Sequence, residues 1–453
     1  MVHLRYQDGT LLVTELPCGS LPAGFVFDDR VGAARAPGWL YAITVRHLRE
    51  RSVPFKDEAR RWEPLSDLAL RDPRQPRPYQ QEAHDAWVAA DRRGVVLLPT
   101  GAGKTLVAEL CIASTKRPTL VLAPTLDLVN QWVDRLERSF GGEIGVLGGG
   151  QHELRPLTVS TYDSAYLYLH RYGDRFGLLV FDEAHHLPAP GYLSAAEAAL
   201  APFRLGLTAT WERQDGRHEE IDHATGSVVF ERGITDLAGE YLAEYETVRV
   251  PVALSSEELS RYQERRKVFT DFCEQRRLYL GGPGGWQSFL RESARSREGR
   301  AAYQAYLESR RIAHGTEEKL HALGRLLQAE RGRRTIIFTH DNATAYRVSR
   351  DFLVPCITHR TDLRERRELL DRFSSGELPV LATSRVLNEG VDLPAAEVAI
   401  VLSGSGTVRE HVQRLGRILR PGHGKQAILY ELVASDTTEV ATSARRRKHD
   451  AYD

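Results

Sequence analysis

The chain has 453 residues, of which 42% are hydrophobic and 27% charged, a globular composition with room for two or three domains. No run of about 18 apolar residues occurs, so no helical membrane span is expected. Met1–Thr10 also lacks the basic-then-apolar pattern of a secretory signal. The formal net charge is zero, so the total points to no acidic or basic partner, and only the distribution of charge is informative.

At the start of the chain, Leu4–Val13 alternates around Asp8-Gly9, a hairpin signal. A proline- and arginine-rich stretch, Asp72–Pro78, reads as a linker, so residues 1–73 are expected to form a small separate domain. Beyond it, Val95–Pro99, Thr119–Ala123, Leu157–Ser160, Leu178–Phe181 and Arg204–Leu207 are apolar, strand-like runs. Helix-like segments such as Lys104–Ser114 and Leu126–Ser139 separate them. This alternation is the grammar of a parallel sheet covered on both faces.

The first strand runs into Pro99-Thr100-Gly101-Ala102-Gly103-Lys104-Thr105, which opens a helix. Glycines let the backbone curl so that its N–H groups face phosphates, and the helix N-terminus adds partial positive charge. Thr100, Gly101, Ala102 and Gly103 form the cradle. Lys104 can reach the β- and γ-phosphates of ATP, and the Thr105 hydroxyl can ligate Mg²⁺. The longer form of this loop needs glycine at position 98, where the chain has Leu98, so the shorter TGxGKT variant applies.

Its companion is Leu178–Phe181 followed by Asp182-Glu183-Ala184-His185. Two carboxylates emerge at the carboxyl end of a buried strand, where ligands bind in such sheets. Asp182 is expected to hold Mg²⁺, and Glu183 to activate the attacking water as general base.

Residues 255–314 read as helices broken by Gly281-Gly282-Pro283-Gly284-Gly285, too long and too organised for a plain connection. Arginines crowd this segment from Arg261 to Arg311, on either a solvated face or a phosphate-gripping one. A second α/β alternation follows, with strand-like Thr335–Thr339, Val380–Thr383, Val398–Leu402 and Ala427–Leu432. Its helices are Asn342–Phe352, Leu363–Phe373 and Val408–Leu419. In the last of these, Arg417 and Arg420 lie one turn apart on one face and can meet a γ-phosphate as arginine fingers. ATP would then draw two lobes together and its hydrolysis would release them. Cys18, Cys111, Cys273 and Cys356 lie far apart with no CxxC pair, and read as reduced thiols rather than metal ligands.

Taken in order, these marks resemble superfamily 2 helicases over residues 77–434. Arg77-Pro78-Tyr79-Gln80-Gln81 looks like the Q motif, implying that Gln80 contacts adenine. Motif I is Thr100–Thr105, motif Ia Ala123-Pro124-Thr125, motif II Asp182–His185 and motif III Thr208-Ala209-Thr210. Phe338-Thr339-His340 looks like motif IV, Asn388–Pro394 with Gly390 and Asp392 like motif V, and Gln413–Arg420 like motif VI. Within the superfamily the resemblance is to the XPB family of DNA repair helicases in its short archaeal or bacterial form. Arg213-Gln214-Asp215 is similar to that family's Arg-Glu-Asp element, with Gln214 in place of the acid, which puts that residue's part in duplex opening in question. The helical insertion sits where the family carries its thumb, and the tail Ala444–Lys448 also looks like that family.

The resemblance implies two RecA-like doubly wound α/β lobes, 74–235 and 236–453, a thumb insertion at 255–314, and an N-terminal α/β domain placed like a damage-recognition domain. It also implies 3′-to-5′ translocation on DNA and a role in nucleotide excision repair. The remaining expectations are a monomer, nucleoid-associated in a prokaryotic cytoplasm, with a nuclease as a further partner. Thr125, Thr161 and Thr383 lie just past strand ends and can donate hydroxyl bonds to a DNA backbone, or can simply cap turns and helices. Arg213 and Asp215 are placed with them as DNA contacts. Trp286 and Tyr279 can stack on bases or pack. His185 reads as a link between the ATP and DNA sites rather than a metal ligand. Two alternatives stay open from the residues alone: a DEAH-type RNA helicase, and an ATP-switched clamp or translocase on duplex DNA that does not separate strands.

Overall fold

A computed structural model of the chain describes residues 1–15, 21–71, 74–210, 222–237, 239, 241, 244–282, 284–384, 396–403 and 426–446. Contacts divide it into two compact units. One is Met1–Gly233 without the short stretch Thr100–Ala102, and the other holds Ile234–Asp453.

The first unit carries two sheets. The N-terminal sheet has five strands: β1 (Val2–Gln7), β2 (Thr10–Thr14), β3 (Val26–Asp28), β4 (Ala33–Pro37) and β5 (Phe55–Asp57), in the order β3-β4-β2-β1-β5. The β1–β2 hairpin turns on Asp8 (φ 46°) and Gly9 (φ 81°), the two left-handed residues a tight hairpin turn needs. Helix α1 (Tyr41–Glu50) covers one face, burying Leu4, Leu11, Val13 and Leu48 together with Leu200 from the neighbouring lobe.

This sheet does not stand apart. The Tyr6 hydroxyl lies 2.9–3.1 Å from the carbonyl oxygens of Leu169, His170 and Ala198, and Arg61 pairs with the buried Asp174 at 2.9 Å. At Gly38 even a methyl group would fall 2.2 Å from the Ala198 carbonyl oxygen, so only glycine permits this approach. A separate domain was expected from the linker composition. The structure packs this sheet against the lobe, and the stretch just before the expected linker is tied down as well: Leu65 N–H donates to Lys116 O and Arg71 N–H to Ser139 O, both at 2.8 Å.

The lobe has eight strands: β6 (Arg93–Leu97), β7 (Thr119–Ala123), β8 (Gly145–Gly148), β9 (Gln151–Glu153), β10 (Leu157–Thr161), β11 (Leu178–Asp182), β12 (Phe203–Thr208) and β13 (Val228–Glu231). Their order is β13-β6-β12-β11-β7-β10-β8-β9, and every pairing except β8–β9 is parallel. Val95, Val96, Leu120, Val121 and Leu178–Phe181 are fully buried, as both faces of a helix-covered parallel sheet require. The covering helices that matter below are α2 (Pro78–Ala89), α3 (Lys104–Thr115), α4 (Leu126–Phe140), α5 (Tyr162–Tyr172) and α6 (Pro190–Ala198).

In the second unit six parallel strands run in the order β14-β19-β18-β15-β17-β16: β14 (Glu244–Val252), β15 (Thr335–Phe338), β16 (Cys356–Ile357), β17 (Val380–Thr383), β18 (Val398–Val401) and β19 (Gln426–Ala434). Three helices, Ser256–Gln275, Gly285–Arg295 and Arg297–His314, precede β15. A capping box starts the first, with Ser255 Oγ accepting from Glu258 N–H and Glu258 Oε2 from Ser255 N–H. They enclose their own small core of Phe269, Phe272, Cys273, Phe289 and Ala302. Among the described residues no helix is long and apolar enough to cross a membrane, and Cys111, Cys273 and Cys356 are free thiols.

Candidate nucleotide site in the first lobe

The strand order decides what meets at the carboxyl edge of the lobe. Neighbouring strands β6, β12, β11, β7 and β10 end, in that spatial order, in the phosphate loop, Thr208–Thr210, Asp182-Glu183, Thr125 and Thr161. Five segments scattered over more than a hundred residues of sequence therefore form one continuous row, as ligand sites do in open parallel sheets.

The loop after β6 turns on Gly101 (φ 88°) and Gly103 (φ 82°), left-handed positions that side chains resist. Gly103 is also the N-cap of α3, and a Cβ there would lie 2.4 Å from Gln80 Nε2. Gln80 is buried in the first turn of α2. Its Oε1 accepts from Arg77 N–H at 2.9 Å and its Nε2 donates to Gly103 O at 3.5 Å. The Q-motif glutamine thus reads the loop backbone directly. Lys104 opens α3, and its Nζ donates to Leu98 O (3.1 Å) and Pro99 O (3.4 Å), so the ammonium is held over the loop by its own carbonyls. Among the described residues Thr100 Oγ1 is buried without a hydrogen-bond partner, and Thr105 sits partly buried in the first turn of the helix. Left-handed glycines, a lysine over the loop and an orphaned hydroxyl suit an anionic polyphosphate.

Asp182 ends β11 and is 8% exposed. Trp132 on α4 donates its indole N–H to Asp182 Oδ2 at 2.8 Å, and Glu183 N–H donates to Oδ1 at 3.0 Å. Burial pushes the carboxyl up from the ordinary aspartate range, against the pull of the Trp132 bond and of the nearby Lys104 charge. A buried carboxylate with no arginine partner among the described residues, close to Lys104, is fit to hold a hydrated divalent cation. The fully buried Tyr162, first residue of α5, fixes the strand end by donating to Asp182 O at 2.9 Å.

Glu183 adopts a left-handed backbone (φ 48°, ψ 54°), a strained conformation of the kind that clusters at functional sites. Its Oε2 lies 3.4 Å from His185 Nδ1, which in turn lies 3.0 Å from Thr208 Oγ1. The Thr208 hydroxyl spends its proton on Thr210 O at 2.8 Å, so His185 Nδ1 carries the proton in the bond between them. Motif II is thereby wired to motif III through one buried imidazole.

Thr125 and Thr161 are both helix N-caps: Thr125 Oγ1 accepts from Leu128 N–H (3.3 Å) and Thr161 Oγ1 from Ser164 N–H (3.1 Å). Thr383, at the end of β17 in the second unit, is fully buried and donates to Ser384 O at 2.9 Å. Arg213, Asp215, Gly390, Asp392, Arg417 and Arg420 lie outside the described residues.

Among the buried groups without a motif signature, two lie on the helices that flank this site. One is Trp132. The other is Glu109 on α3, fully buried between Arg135 (2.6 Å), Arg74 (3.0 Å) and Ser139 Oγ (2.6 Å). A tryptophan on the apolar face of a predicted helix announces only burial. A lone glutamate among apolar helix residues was the one signal that could have pointed to an ion cluster.

In the three-helix insertion, Arg265 pairs with Glu308 and Arg295 with Glu292, while Arg266, Arg276 and Arg310 lie over the rings of Phe269, Phe272 and Tyr306. Arg261, Lys267, Arg277, Arg291, Arg297, Arg300 and Arg311 remain exposed. Trp286 packs on Phe289 and Tyr306, whereas Tyr279 is 80% exposed.

Against known proteins, residues 4–59 match the model of the xeroderma pigmentosum group B helicase damage recognition domain. Residues 74–213 match that of the type III restriction enzyme res subunit, and 318–422 the helicase conserved C-terminal domain. Over 448 residues, 99% of this chain and 100% of the relative, the chain is 39% identical to "DNA 3'-5' translocase XPB2" of Sulfurisphaera tokodaii. The chain belongs to the XPB family of superfamily 2 helicases. It is also 32% identical to "DNA 3'-5' helicase XPB" of Kineococcus radiotolerans, with 82% of this chain matched to 62% of that longer relative. Among solved structures, the Hef helicase domain of Pyrococcus furiosus shares the fold, with a TM-score of 0.53 over 84% of this chain and 100% of that one at 19% identity.

Proposed function

We propose that this XPB-family chain is an ATP hydrolase that drives 3′-to-5′ movement on DNA, opens duplex DNA and serves nucleotide excision repair. The observation that carries the reading is the unbroken row from the phosphate loop through motif III and motif II to the capped helices α4 and α5. This row, with the phosphate loop at one end and two helix N-termini at the other on neighbouring strands of one sheet, supports a nucleotide site coupled to a DNA-facing edge. The names of the two relatives support the direction of travel, and the match to a damage recognition domain supports the repair role.

In this reading Thr100–Thr105 hold the triphosphate, and Gln80 senses the base while bracing Gly103. Thr105 and Asp182 hold Mg²⁺, which when bound offsets phosphate charge. Glu183 accepts the proton of the attacking water. His185 passes the state of Glu183 to Thr208 and so to the segment that continues into Arg213 and Asp215. Gly390, Asp392, Arg417 and Arg420 complete the site by the sequence reading, with the two arginines meeting the γ-phosphate. Thr125, Thr161 and the exposed arginines of the thumb grip phosphates without reading sequence, whereas Thr383, expected beside them, is buried with its hydroxyl donated to Ser384 O and has no open face for a phosphate.

A forked-duplex unwinding assay run beside triplex displacement tests the reading, with ATPase stimulation compared between DNA and RNA. Strand separation and DNA-specific stimulation support it. Triplex displacement alone favours the duplex translocase, a reading the "translocase" name of the archaeal relative keeps in play. Stimulation by RNA alone would sink the DNA assignment.

A further inference from the structure

Trp132 has no place in the helicase motifs, yet its indole N–H is spent on the one carboxylate the nucleotide site most needs. The hydrogen bond to Asp182 Oδ2 is 2.8 Å, and both partners are buried, Trp132 being 3% exposed. With Glu183 N–H on Oδ1, each oxygen of Asp182 has a fixed donor among the described residues, and together they set the plane of the carboxylate. A ligating carboxylate turned out of its plane presents the wrong lone pairs to a cation, so donors of this kind tune metal sites.

The tryptophan also belongs to a helix with business at both ends. Seven residues before it, Thr125 caps the N-terminus of α4 at motif Ia. Three residues after it, on the same face, Arg135 pairs with the buried Glu109 of α3, the helix that starts at Lys104, and Ser139 bonds the same carboxylate. One rigid helix therefore holds the phosphate-loop helix through Glu109 and the motif II aspartate through Trp132. A displacement at its N-terminus must reach both.

We propose that Trp132 is a positioning residue that sets Asp182 for its divalent cation and makes α4 the lever by which DNA at motif Ia alters metal and nucleotide binding. The inference rests on the assignment of Asp182 as a metal ligand. It differs from the bland case, in which a core indole simply finds the nearest acceptor, in requiring the bond to respond to ligands.

The test uses the whole chain in which all six tryptophans carry 5-fluoro substitution, read by fluorine NMR. The Trp132 resonance is assigned by its loss in Trp132→Phe, or by elimination with the other five Trp→Phe variants should that one not fold. It should shift on adding Mg²⁺ with a non-hydrolysable ATP analogue, and shift again on adding duplex DNA. In parallel, Mn²⁺ binding with the analogue is followed by electron paramagnetic resonance. Trp132→Phe should weaken Mn²⁺ by about 10–100-fold, as loss of an outer-shell partner does. It should leave metal-free nucleotide binding in place and lower the DNA stimulation of the ATPase more than the DNA-free rate. Asp182→Asn serves as the reference. If it too keeps wild-type Mn²⁺ binding, the metal assignment itself fails. If it loses Mn²⁺ while Trp132→Phe keeps both Mn²⁺ affinity and DNA stimulation, or if the Trp132 resonance ignores both ligands, the positioning role is overturned and Trp132 is only a core residue.

Discussion

Two buried carboxylates of the first lobe have opposite surroundings. Glu109, inside the phosphate-loop helix, is enclosed by two arginines and a serine hydroxyl. Asp182, at the end of β11, has among the described residues an indole and a backbone N–H but no arginine, and a carboxyl held above its usual range by burial. The first has its charge fully answered by protein. Among the described residues the second has no ion-pair partner of that kind, which fits the proposed role of holding a divalent cation. Burial alone does not separate structure from chemistry; the identity of the partners does.

That contrast can be broken most sharply next door to Asp182. Glu183→Gln keeps the shape of the side chain but cannot take a proton from water. Turnover should fall by about 10²–10⁴-fold, the usual share of a positioned general base, with ATP affinity nearly intact. Steady-state ATPase beside equilibrium nucleotide binding checks it, and near-wild-type turnover removes Glu183 from the chemistry. Arg417→Ala and Arg420→Ala should act in the same direction, lowering kcat far more than they raise KM, because their charge matters most where γ-phosphate charge develops. A rise in KM alone contradicts the finger role.

Glu109→Ala sharpens the other half of the comparison. It leaves a cavity and removes the shared acceptor of Arg74, Arg135 and Ser139, but the two arginine side chains are 44% and 25% exposed and can turn to water, so the chain should lose about 1–3 kcal/mol. Asp182→Asn should cost little stability, because no arginine among the described residues loses a partner, while removing metal-dependent turnover. Thermal melts of the two variants side by side decide. If Asp182→Asn is the less stable of the two, the division between structural and chemical carboxylates is wrong.

The same division explains what the sequence disclosed. Lobe strands were legible because fully buried parallel strands are continuous apolar runs. The phosphate loop and motif II were legible because chemistry fixes their residue types at fixed spacing. Short partly exposed strands such as β8, β9, β13 and β16 were not, since two to four residues carry no period. The docking of the N-terminal sheet was also hidden: it hangs on the Tyr6 hydroxyl, the Arg61–Asp174 pair and the missing side chain of Gly38, all long-range in sequence. The partners of Trp132 and Glu109 were hidden for the same reason, Asp182 lying 50 residues from Trp132 and Arg135 26 residues from Glu109.

The thumb extends the comparison to the surface, where cations face water rather than a carboxylate. Deleting residues 260–311 with a short linker should spare nucleotide binding and weaken binding to forked DNA. The loss should flatten the salt dependence, since each phosphate contact releases roughly 0.7–0.9 counterion. Salt titrations of binding together with unwinding rates read it. An unchanged slope and unchanged unwinding make the exposed arginines a solvated face. In the same assays Gln214→Glu should raise unwinding if an acid at that position helps to part the strands, and Arg213→Ala should lower unwinding more than DNA-free ATPase.

The smallest effect concerns the threonines that cap α4 and α5. Each accepts a backbone N–H from the first turn of its helix, so Thr125→Ala and Thr161→Ala should each cost about 1 kcal/mol of stability, the usual worth of an N-cap. If these caps also face a DNA backbone, the alanine variants lose affinity as well, with a slightly lower salt slope, because a helix N-terminus that holds its hydroxyl also holds an anion. Serine keeps the hydroxyl and the cap, so Thr125→Ser and Thr161→Ser should restore both stability and affinity. Melts and forked-DNA titrations on all four variants separate the two roles. A stability loss in the alanine variants with no change in affinity confines both threonines to capping, and leaves the grip on DNA to the helix ends and the arginines.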